Sequence, residues 1–198
     1  MYKIAITGGI GSGKSTAAKI LQEIGFTCFS ADKIYNDLLK NEDFVLEVSK
    51  RMGIEPIAVD GKITLDKKAV SNLVFGDKSE LKKLNECTHP VVMSVLTNKI
   101  SQVKEEKFVF AEVPVLFEEG YDKLFDYVFV IKRNFDARLS NTMSRDGKNA
   151  EEVKRVVKSQ IDYEKIPQSD NIIVVNNDGD IEELKAKLSG LMEAIEKK

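Results

Sequence analysis

Short apolar runs alternate along the chain with longer stretches in which apolar residues recur at every third or fourth position. The short runs predict five β-strands, at Lys3–Thr7, Thr27–Ser30, Lys107–Val113, Tyr127–Ile131 and Ile172–Val175. The stretches between them carry the spacing of amphipathic helices. Strands that are separated by helices, and not by tight turns, are typical of a parallel sheet with helices on both faces. The pattern therefore predicts an α/β fold, a three-layer sandwich around a five-stranded parallel sheet.

A long helical segment separates the second predicted strand from the third. Its spacing predicts a turn at Asp60-Gly61 and five helices, at Lys33–Leu39, Glu42–Met52, Lys67–Phe75, Lys78–Glu86 and Val91–Glu105. Such a long excursion from a sheet is a candidate substrate-binding insertion, at about residues 31–106. The 198 residues fit a single domain, whose core comprises about 1–30 and 107–198. The last predicted helix, Ile181–Lys197, is amphipathic and is expected to pack on the sheet.

The segment from Gly8 to Thr16 follows the first predicted strand and opens a predicted helix. It fits the pattern G-x-x-x-x-G-K-[ST] at every fixed position. Glycines let such a loop curl so that successive N–H groups point at phosphate oxygens beside a helix N-terminus. We expect Lys14 to contact the β- and γ-phosphates of a nucleotide and the Ser15 hydroxyl to ligate Mg²⁺. The other expected ligands of the nucleotide in this loop are Gly9, Gly11, Ser12, Gly13 and Thr16.

The segment from Phe135 to Lys165 is predicted to be helical, with Gly147 as a break between two arms. Its basic residues are Arg138, Arg145, Lys148, Lys154, Arg155 and Lys158. Charged helices are usually solvated faces, so most of these side chains are expected to face water. Beside a phosphate-binding loop, however, two cationic helices are typical of a lid that closes over phosphates and excludes water. We predict such a lid at about residues 134–165.

Composition narrows the class of partner. The formal net charge is −2, so no global positive field attracts nucleic acid or an anionic membrane. Cys28 and Cys87 are far apart and the chain has one His, which argues against a zinc site and against a disulfide framework. We expect no leader sequence, because the Tyr2 strand is not preceded by a basic and apolar segment, and no membrane span, because no stretch approaches about 18 apolar residues. The expectation is a cytoplasmic protein and a monomer, with an oligomer left open.

Two sequence motifs separate kinases from guanine-nucleotide switches. A guanine-specific switch is expected to carry Asn-Lys-x-Asp and Asp-x-x-Gly. The chain has neither, because Asn98-Lys99 continues as Ile100-Ser101 and none of the 12 glycines has an Asp three positions earlier. Of the two classes, a protein that uses ATP is therefore the one that remains.

Asp32 is the candidate general base. It follows the second predicted strand, and ligands bind at the carboxyl ends of parallel strands. A carboxylate there can accept the proton of an alcohol that attacks the γ-phosphate. The competing interpretation is an N-cap for the predicted helix Lys33–Leu39, which Asp also suits. Position alone leaves the two interpretations open.

The chain resembles the dephospho-CoA kinase family over about residues 2–184. The resemblance rests on Thr7 to Thr16, Ala31-Asp32-Lys33-Ile34, Val74-Phe75, Leu84 to His89-Pro90, Pro114-Val115-Leu116-Phe117-Glu118, Gln160 and Asn177. It implies that ATP phosphorylates the ribose 3′-hydroxyl of dephospho-CoA, giving ADP and coenzyme A, the last step of coenzyme A biosynthesis. It also implies a P-loop kinase-like fold.

The resemblance further implies roles for single residues. Asp32 matches the family's general base, and Arg145 matches an arginine that balances charge on the transferred phosphoryl group. Asn177 matches the position that borders the adenine. The implied ligands of dephospho-CoA, besides Asp32, are His89, Pro114, Leu116, Phe117 and Glu118.

The residues themselves leave alternatives for some of these positions. His89 has the alternative of a half-buried ring at a helix start, and Phe117 that of a core residue. Glu112, at the end of the third strand, is a candidate for holding a Mg²⁺-bound water.

The sequence departs from the family pattern at three positions. Ser30 stands where the family usually has an Asp, Lys67 where it has an Arg, and Asn141 where a lid Arg is common. These changes affect the expected metal and phosphate contacts. Two other hypotheses therefore stay open: a P-loop kinase of a nucleoside monophosphate or another small alcohol, and a regulatory ATP-binding module without catalysis.

Overall fold

The computed structural model describes residues 1–75, 77–147 and 149–197. They form two compact units, which we call the sheet unit (residues 1–29 and 103–198) and the helical unit (residues 30–102). The division into two units does not test the prediction of a single domain, which stays a prediction. No helix in the described part of the chain is long and apolar enough to cross a membrane.

The elements follow the predicted order. The strands are β1 (Tyr2–Thr7), β2 (Cys28–Ser30), β3 (Ile57–Val59), β4 (Lys62–Thr64), β5 (Phe108–Glu112), β6 (Tyr127–Lys132) and β7 (Ile172–Asn176). The helices are α1 (Lys14–Glu23), α2 (Ala31–Leu38), α3 (Glu42–Met52), α4 (Lys67–Val74), α5 (Lys78–Gln102), α6 (Phe135–Asp146), α7 (Ala150–Ser159) and α8 (Ile181–Glu196). Short 3₁₀ helices lie at Tyr121–Leu124 and Tyr163–Lys165.

The predicted five-stranded parallel sheet is confirmed, with strand order β2-β5-β1-β6-β7. β1 is central, because Ile4 pairs with Phe110 of β5 on one side and with Tyr127 of β6 on the other. From β1 the chain first crosses to the side of β2 and β5, and later it crosses to the side of β6 and β7. In open α/β sheets, ligands bind at the carboxyl ends of the strands where the direction of crossing reverses. The loop that follows β1 lies at this point.

Both faces of the sheet are buried, which explains why its strands are continuous apolar runs in the sequence. One face packs against α1 and α8; its core includes Ile4, Ile6, Leu21, Phe108, Phe110, Phe129, Ile131, Leu184 and Leu188. The alternate positions, Ala5, Val109, Ala111, Val128 and Val130, are also fully buried or nearly so. The predicted packing of the last helix on the sheet is confirmed, except that Ile181 is 60% exposed.

In the helical unit, α2, α3 and α4 each pack on α5. Their shared core is Leu39, Phe44, Val45, Val48, Met52, Leu65, Val70 and Cys87. The prediction of two helices that end and begin around His89-Pro90 was wrong, because α5 runs through Pro90 without a break. Pro90 lacks the N–H of one helical hydrogen bond, but buried residues continue at helical spacing on both sides of it, from Cys87 to Val92 and Leu96.

The predicted turn at Asp60-Gly61 joins the antiparallel strands β3 and β4, which the sequence analysis missed. Asp60 and Gly61 both have positive φ, 50° and 74°, as the tightest hairpin turns require. The two strands have three residues each, and β3 is wholly exposed, so no hydrophobic alternation marked them in the sequence.

Candidate active site

The loop between β1 and α1 has the backbone of an anion-binding cup. Gly11 and Gly13 have φ of 74° and 98°, a conformation that L-residues with side chains rarely adopt. Gly13 is the N-cap of α1, so the loop ends on the positive end of that helix dipole. Successive N–H groups in such a curl favour phosphate oxygens.

Three functional groups meet where the loop enters α1. The Lys14 ammonium donates hydrogen bonds to the carbonyls of Gly8, at 2.8 Å, and Gly9, at 3.0 Å. The Ser15 hydroxyl donates to Oε1 of Glu112 at 2.6 Å. Glu112 ends β5 and is 8% exposed, so the parallel sheet itself carries this carboxylate to the loop.

A cavity of about 610 Å³ opens over the loop. From the loop it is lined by Gly11, Gly13, Lys14, Ser15 and Thr16, and from elsewhere in the sheet unit by Arg133, Asn141, Arg145 and Asn177. Most of the predicted ATP ligands and two of the three predicted catalytic residues, Lys14 and Arg145, therefore share a single cavity. Ser12 is 1% exposed and Gly9 is buried, so their contact with a nucleotide stays a prediction.

Asn177 fastens the loop. Its amide Nδ2 donates to the carbonyl of Ser12 at 2.9 Å, and its side chain is 6% exposed. A Cβ atom on Gly13 would lie 2.2 Å from this Nδ2, so the close approach requires glycine there. Asn177 also lines the cavity, and its predicted place beside the adenine stays a prediction.

Arg145 lies near the end of α6, at the edge of the same cavity. Its Nε donates to Oδ1 of Asp146 at 2.6 Å and its Nη2 donates to Oδ2 at 3.0 Å. The side chain of Arg145 is 61% exposed and that of Asp146 is 24% exposed. Lys148, another predicted lid cation, lies outside the described residues.

The sequence analysis missed the contacts that tie the lid segment to the rest of the sheet unit. Arg138 of α6 donates from Nε to the carbonyl of Ile10 at 3.0 Å, and the N–H of Ile10 donates to Oε1 of Gln160 at 2.9 Å. Tyr163 donates its hydroxyl to the carbonyl of Pro114 at 2.9 Å. Burial is the main cause that raises the pKa of Tyr163 to about 12. These contacts span more than a hundred positions in several cases, and no local pattern signals them.

The predicted ligands after β5 differ in exposure. Pro114 and Phe117 are half-buried and Glu118 is exposed, so each presents some surface to a ligand. Leu116 is 0% exposed, which places its side chain in the core and argues against direct contact with a substrate.

Asp32 and His89 belong to the helical unit. Asp32 lies exposed in the first turn of α2, and the cap is Ser30, whose hydroxyl accepts from the N–H of Lys33. The alternative of Asp32 as N-cap was therefore wrong, because the helix begins at Ala31, earlier than predicted. His89 is half-buried in the middle of α5, so its alternative as a helix-start residue was also wrong. Their roles toward substrate stay predictions.

The strand order and the glycine loop on the central strand define a P-loop kinase-like fold. A solved shikimate kinase from Acinetobacter baumannii has this fold, with a TM-score of 0.56, 16% identity and coverage of 100% of this chain and 96% of that one. A likeness at that identity shows the fold alone.

Closer relatives define the family. The dephospho-CoA kinase family model matches residues 2–183, and the chain belongs to that family. A dephospho-CoA kinase of Fusobacterium nucleatum is 34% identical over 97% of this chain and 97% of its own length. The solved dephospho-CoA kinase of Campylobacter jejuni is 28% identical, with a TM-score of 0.69 over 98% of this chain and 97% of that one. The chain is accordingly an ATP-dependent kinase.

Proposed function

We propose that the cavity over the glycine loop is where this enzyme transfers the γ-phosphoryl group of ATP to dephospho-CoA. The product is coenzyme A, with the ribose 3′-hydroxyl as acceptor, and the reaction ends coenzyme A biosynthesis. The observation that carries the proposal is the convergence of Lys14, Ser15, Arg145 and Asn177 on one cavity in a chain of this family.

Lys14 and Arg145 balance the charge of the phosphates. The Lys14 ammonium already lies against the loop, within hydrogen-bond distance of two of its carbonyls. Arg145 is expected to turn from Asp146 to the transferred group. Cations placed where charge develops lower the barrier to phosphoryl transfer without reorganisation of solvent.

The residues at the loop fit Mg²⁺. The Ser15 hydroxyl and the Glu112 carboxylate offer hard oxygen atoms 2.6 Å apart, and Mg²⁺ in such enzymes takes few protein ligands besides phosphate and water. Ser15 would ligate the ion and Glu112 would hold one of its waters. When bound, the ion neutralises charge on the β- and γ-phosphates.

Asp32 is proposed as the general base that orients the attacking hydroxyl and takes its proton. Because Ser30 caps α2, the carboxylate of Asp32 is not used in capping, and it is exposed. His89, Pro114, Phe117 and Glu118 are proposed as ligands of dephospho-CoA. The fully buried Leu116 would support Phe117 and Glu118 from the core of the sheet unit.

An acceptor assay tests the function. ADP release is measured with dephospho-CoA, AMP, CMP, shikimate or no acceptor, at equal enzyme and ATP concentrations. Stimulation by dephospho-CoA alone is expected. Stimulation by another acceptor instead would support a different small-molecule kinase, and stimulation by none would support a regulatory ATP-binding module.

We also propose that the enzyme works as a monomer in the cytoplasm, without nucleic acid. Cys28 and Cys87 are both free thiols, as a reducing compartment favours, and the formal net charge is −2. Light scattering of the purified protein checks the mass; a stable dimer would contradict this part of the proposal.

A further inference from the structure

Helix α6 lies unusually close to the glycine loop. A Cβ atom on Gly11 would lie 2.5 Å from the carbonyl oxygen of Arg138 and 2.6 Å from Oγ1 of Thr142. A Cβ atom on Gly9 would lie 2.4 Å from Nη2 of Arg138 and 2.8 Å from its Cζ. Gly11 is therefore required by the backbone of α6 as well as by its own positive φ, whereas a side chain at Gly9 would displace the guanidinium of Arg138. The loop is packed between its own cavity and this helix.

The guanidinium of Arg138 is a buried charge in this contact, and burying a charge is energetically unfavourable. Its side chain is 9% exposed. Burial lowers the pKa of the guanidinium, and the carboxylates of Glu164 and Asp162 act in the opposite direction. Arginine keeps its proton in proteins, so the group stays charged. A buried charge is unfavourable unless its hydrogen bonds and partners compensate it, and an apolar side chain would fill the same space more cheaply.

The hydrogen bonds of Arg138 and Gln160 converge on one residue of the loop. Nε of Arg138 donates to the carbonyl of Ile10, and Oε1 of Gln160 accepts from its N–H. Both backbone polar groups of Ile10 are thus held by the lid segment, one from α6 and one from the residue that follows α7. The peptide groups on either side of Ile10 cannot rotate without losing these bonds.

We propose that Arg138 is a positioning residue that, together with Gln160, holds the loop around Ile10 in its anion-binding curl and so sets the affinity for ATP. The inference deepens the proposed function and rests on it. Arg138 acts from behind the loop: among the described residues that line the cavity, Lys14, Arg133 and Arg145 are the arginines and lysines. The bond to Ile10 is charge-assisted, which makes it about twice as strong as a neutral one.

The first test measures ATP binding without an acceptor. Replacement Arg138→Ala is expected to raise the Kd for ATP about tenfold or more, which is the effect of losing one charged hydrogen bond. The KM for ATP should rise in step, while the KM for dephospho-CoA stays within about twofold. Arg51→Ala is the matched control, since Arg51 is exposed on α3 and pairs with Glu47. Thermal melting of each variant verifies folding at the assay temperature.

The second test is a double-mutant cycle with Gly9→Ala. The backbone of Gly9 is not left-handed, so alanine causes no strain there except by displacing the guanidinium of Arg138. Gly9→Ala should weaken ATP binding about as much as Arg138→Ala in the wild-type background and have little effect in the Arg138→Ala background. An equal effect in both backgrounds would overturn the inference, because Gly9 would then act on ATP directly.

Other outcomes separate the two proposals. Wild-type ATP affinity in folded Arg138→Ala would overturn the inference while leaving the proposed function intact. ATP binding by the wild type without phosphorylation of dephospho-CoA would remove the proposed function, and the binding cycle would still decide the role of Arg138. Should Arg138→Ala fail to fold, Arg138→Met keeps most of the packing volume, and normal ATP affinity in that variant would equally overturn the inference.

Discussion

At the scale of single residues, the two cations proposed to bind phosphate already have partners within the protein. Lys14 is bonded to carbonyls of the loop that it serves, and Arg145 is bonded to the adjacent Asp146. These bonds restrict the side-chain rotamers, so less conformational entropy is lost when phosphate arrives. Lys14 is the most informative residue to replace, because its loss is expected to affect both ATP binding and the rate of phosphoryl transfer strongly.

Replacement Lys14→Met should reduce kcat/KM for ATP by about 10²- to 10³-fold, because the ammonium balances charge in both the bound nucleotide and the transition state. Steady-state kinetics and calorimetric ATP binding measure the two effects. Lys19→Met is the control, since Lys19 is an exposed residue of the same helix that pairs with Glu23. Intact activity of Lys14→Met would refute the phosphate-loop assignment.

Replacement Asp32→Asn should lower kcat by about 10²- to 10⁴-fold and leave ATP affinity nearly unchanged, because the amide cannot take the proton of the acceptor hydroxyl. Asp37→Asn makes the same change on the same helix, at an exposed residue that pairs with Lys40. Near-normal turnover in Asp32→Asn would exclude Asp32 from the chemistry.

Local chemistry made the loop predictable residue by residue. Its glycines, Lys14 and Ser15 were expected where they lie, because the motif carries its own backbone geometry. Arg138 was only one of several basic residues in a charged segment, since a sequence does not show which lysine or arginine turns inward. Glu112 was a candidate beside the metal site because it ends a predicted parallel strand, and it lies against Ser15. The contacts of Tyr163 arise through the fold, and no local pattern signals them.

At the scale of elements, the segment that follows α7 forms hydrogen bonds with two other segments, the glycine loop and the segment after β5. Gln160 binds the phosphate loop and Tyr163 binds Pro114, at the start of the predicted acceptor-binding segment. The buried Tyr163 hydroxyl is neutral up to high pH because burial disfavours the phenolate. Stability therefore depends on this one proton at alkaline pH.

The pKa of Tyr163 is raised in the folded state to about 12, against 10.0 for the ordinary value. Its contribution to stability is present below pH 10 and is lost as the pH rises toward 12, because the unfolded chain ionises first. The slope approaches about 1.4 kcal/mol per pH unit in that range. Urea unfolding from pH 9 to 11 should show a shallower decline for Tyr163→Phe; an identical slope would contradict the assignment.

Pro90 offers a test within α5. Replacement Pro90→Ala should raise the free energy of unfolding by about 1 kcal/mol, because it restores a helical hydrogen bond and this exceeds the entropy that proline removes from the unfolded chain. Urea denaturation followed by circular dichroism measures it. A loss of stability would mean that the packing of α5 depends on the local distortion at proline.

Elements with strong periodicity were predicted to within a few residues, and the two errors have physical causes. Packing on both sides of Pro90 overrides its low helix propensity. The β3–β4 hairpin was recognisable only by its turn, because strands of three residues, exposed in β3 and at most half-buried in β4, bury too little to leave a pattern.

At the scale of the whole molecule, ligand binding and stability are linked. A ligand that binds only the folded protein adds about 2.7 kcal/mol when it is present at 100 times its Kd. ATP with Mg²⁺ should therefore raise the melting temperature of the sheet unit, and the shift should shrink when EDTA removes the metal. Differential scanning fluorimetry with ATP, with and without EDTA, measures it. An EDTA-insensitive shift and turnover would contradict the proposed Mg²⁺ site at Ser15 and Glu112.

The division of the chain into two units affects the order in which they can fold during synthesis. The helical unit is one continuous segment, whereas β1 pairs only with β5 and β6, which leave the ribosome after that segment is complete. A contiguous, locally connected unit can fold while translation continues, but pairing across such a long separation is slow. During that interval both edges of the apolar strand β1 are without the strands that flank it in the folded sheet.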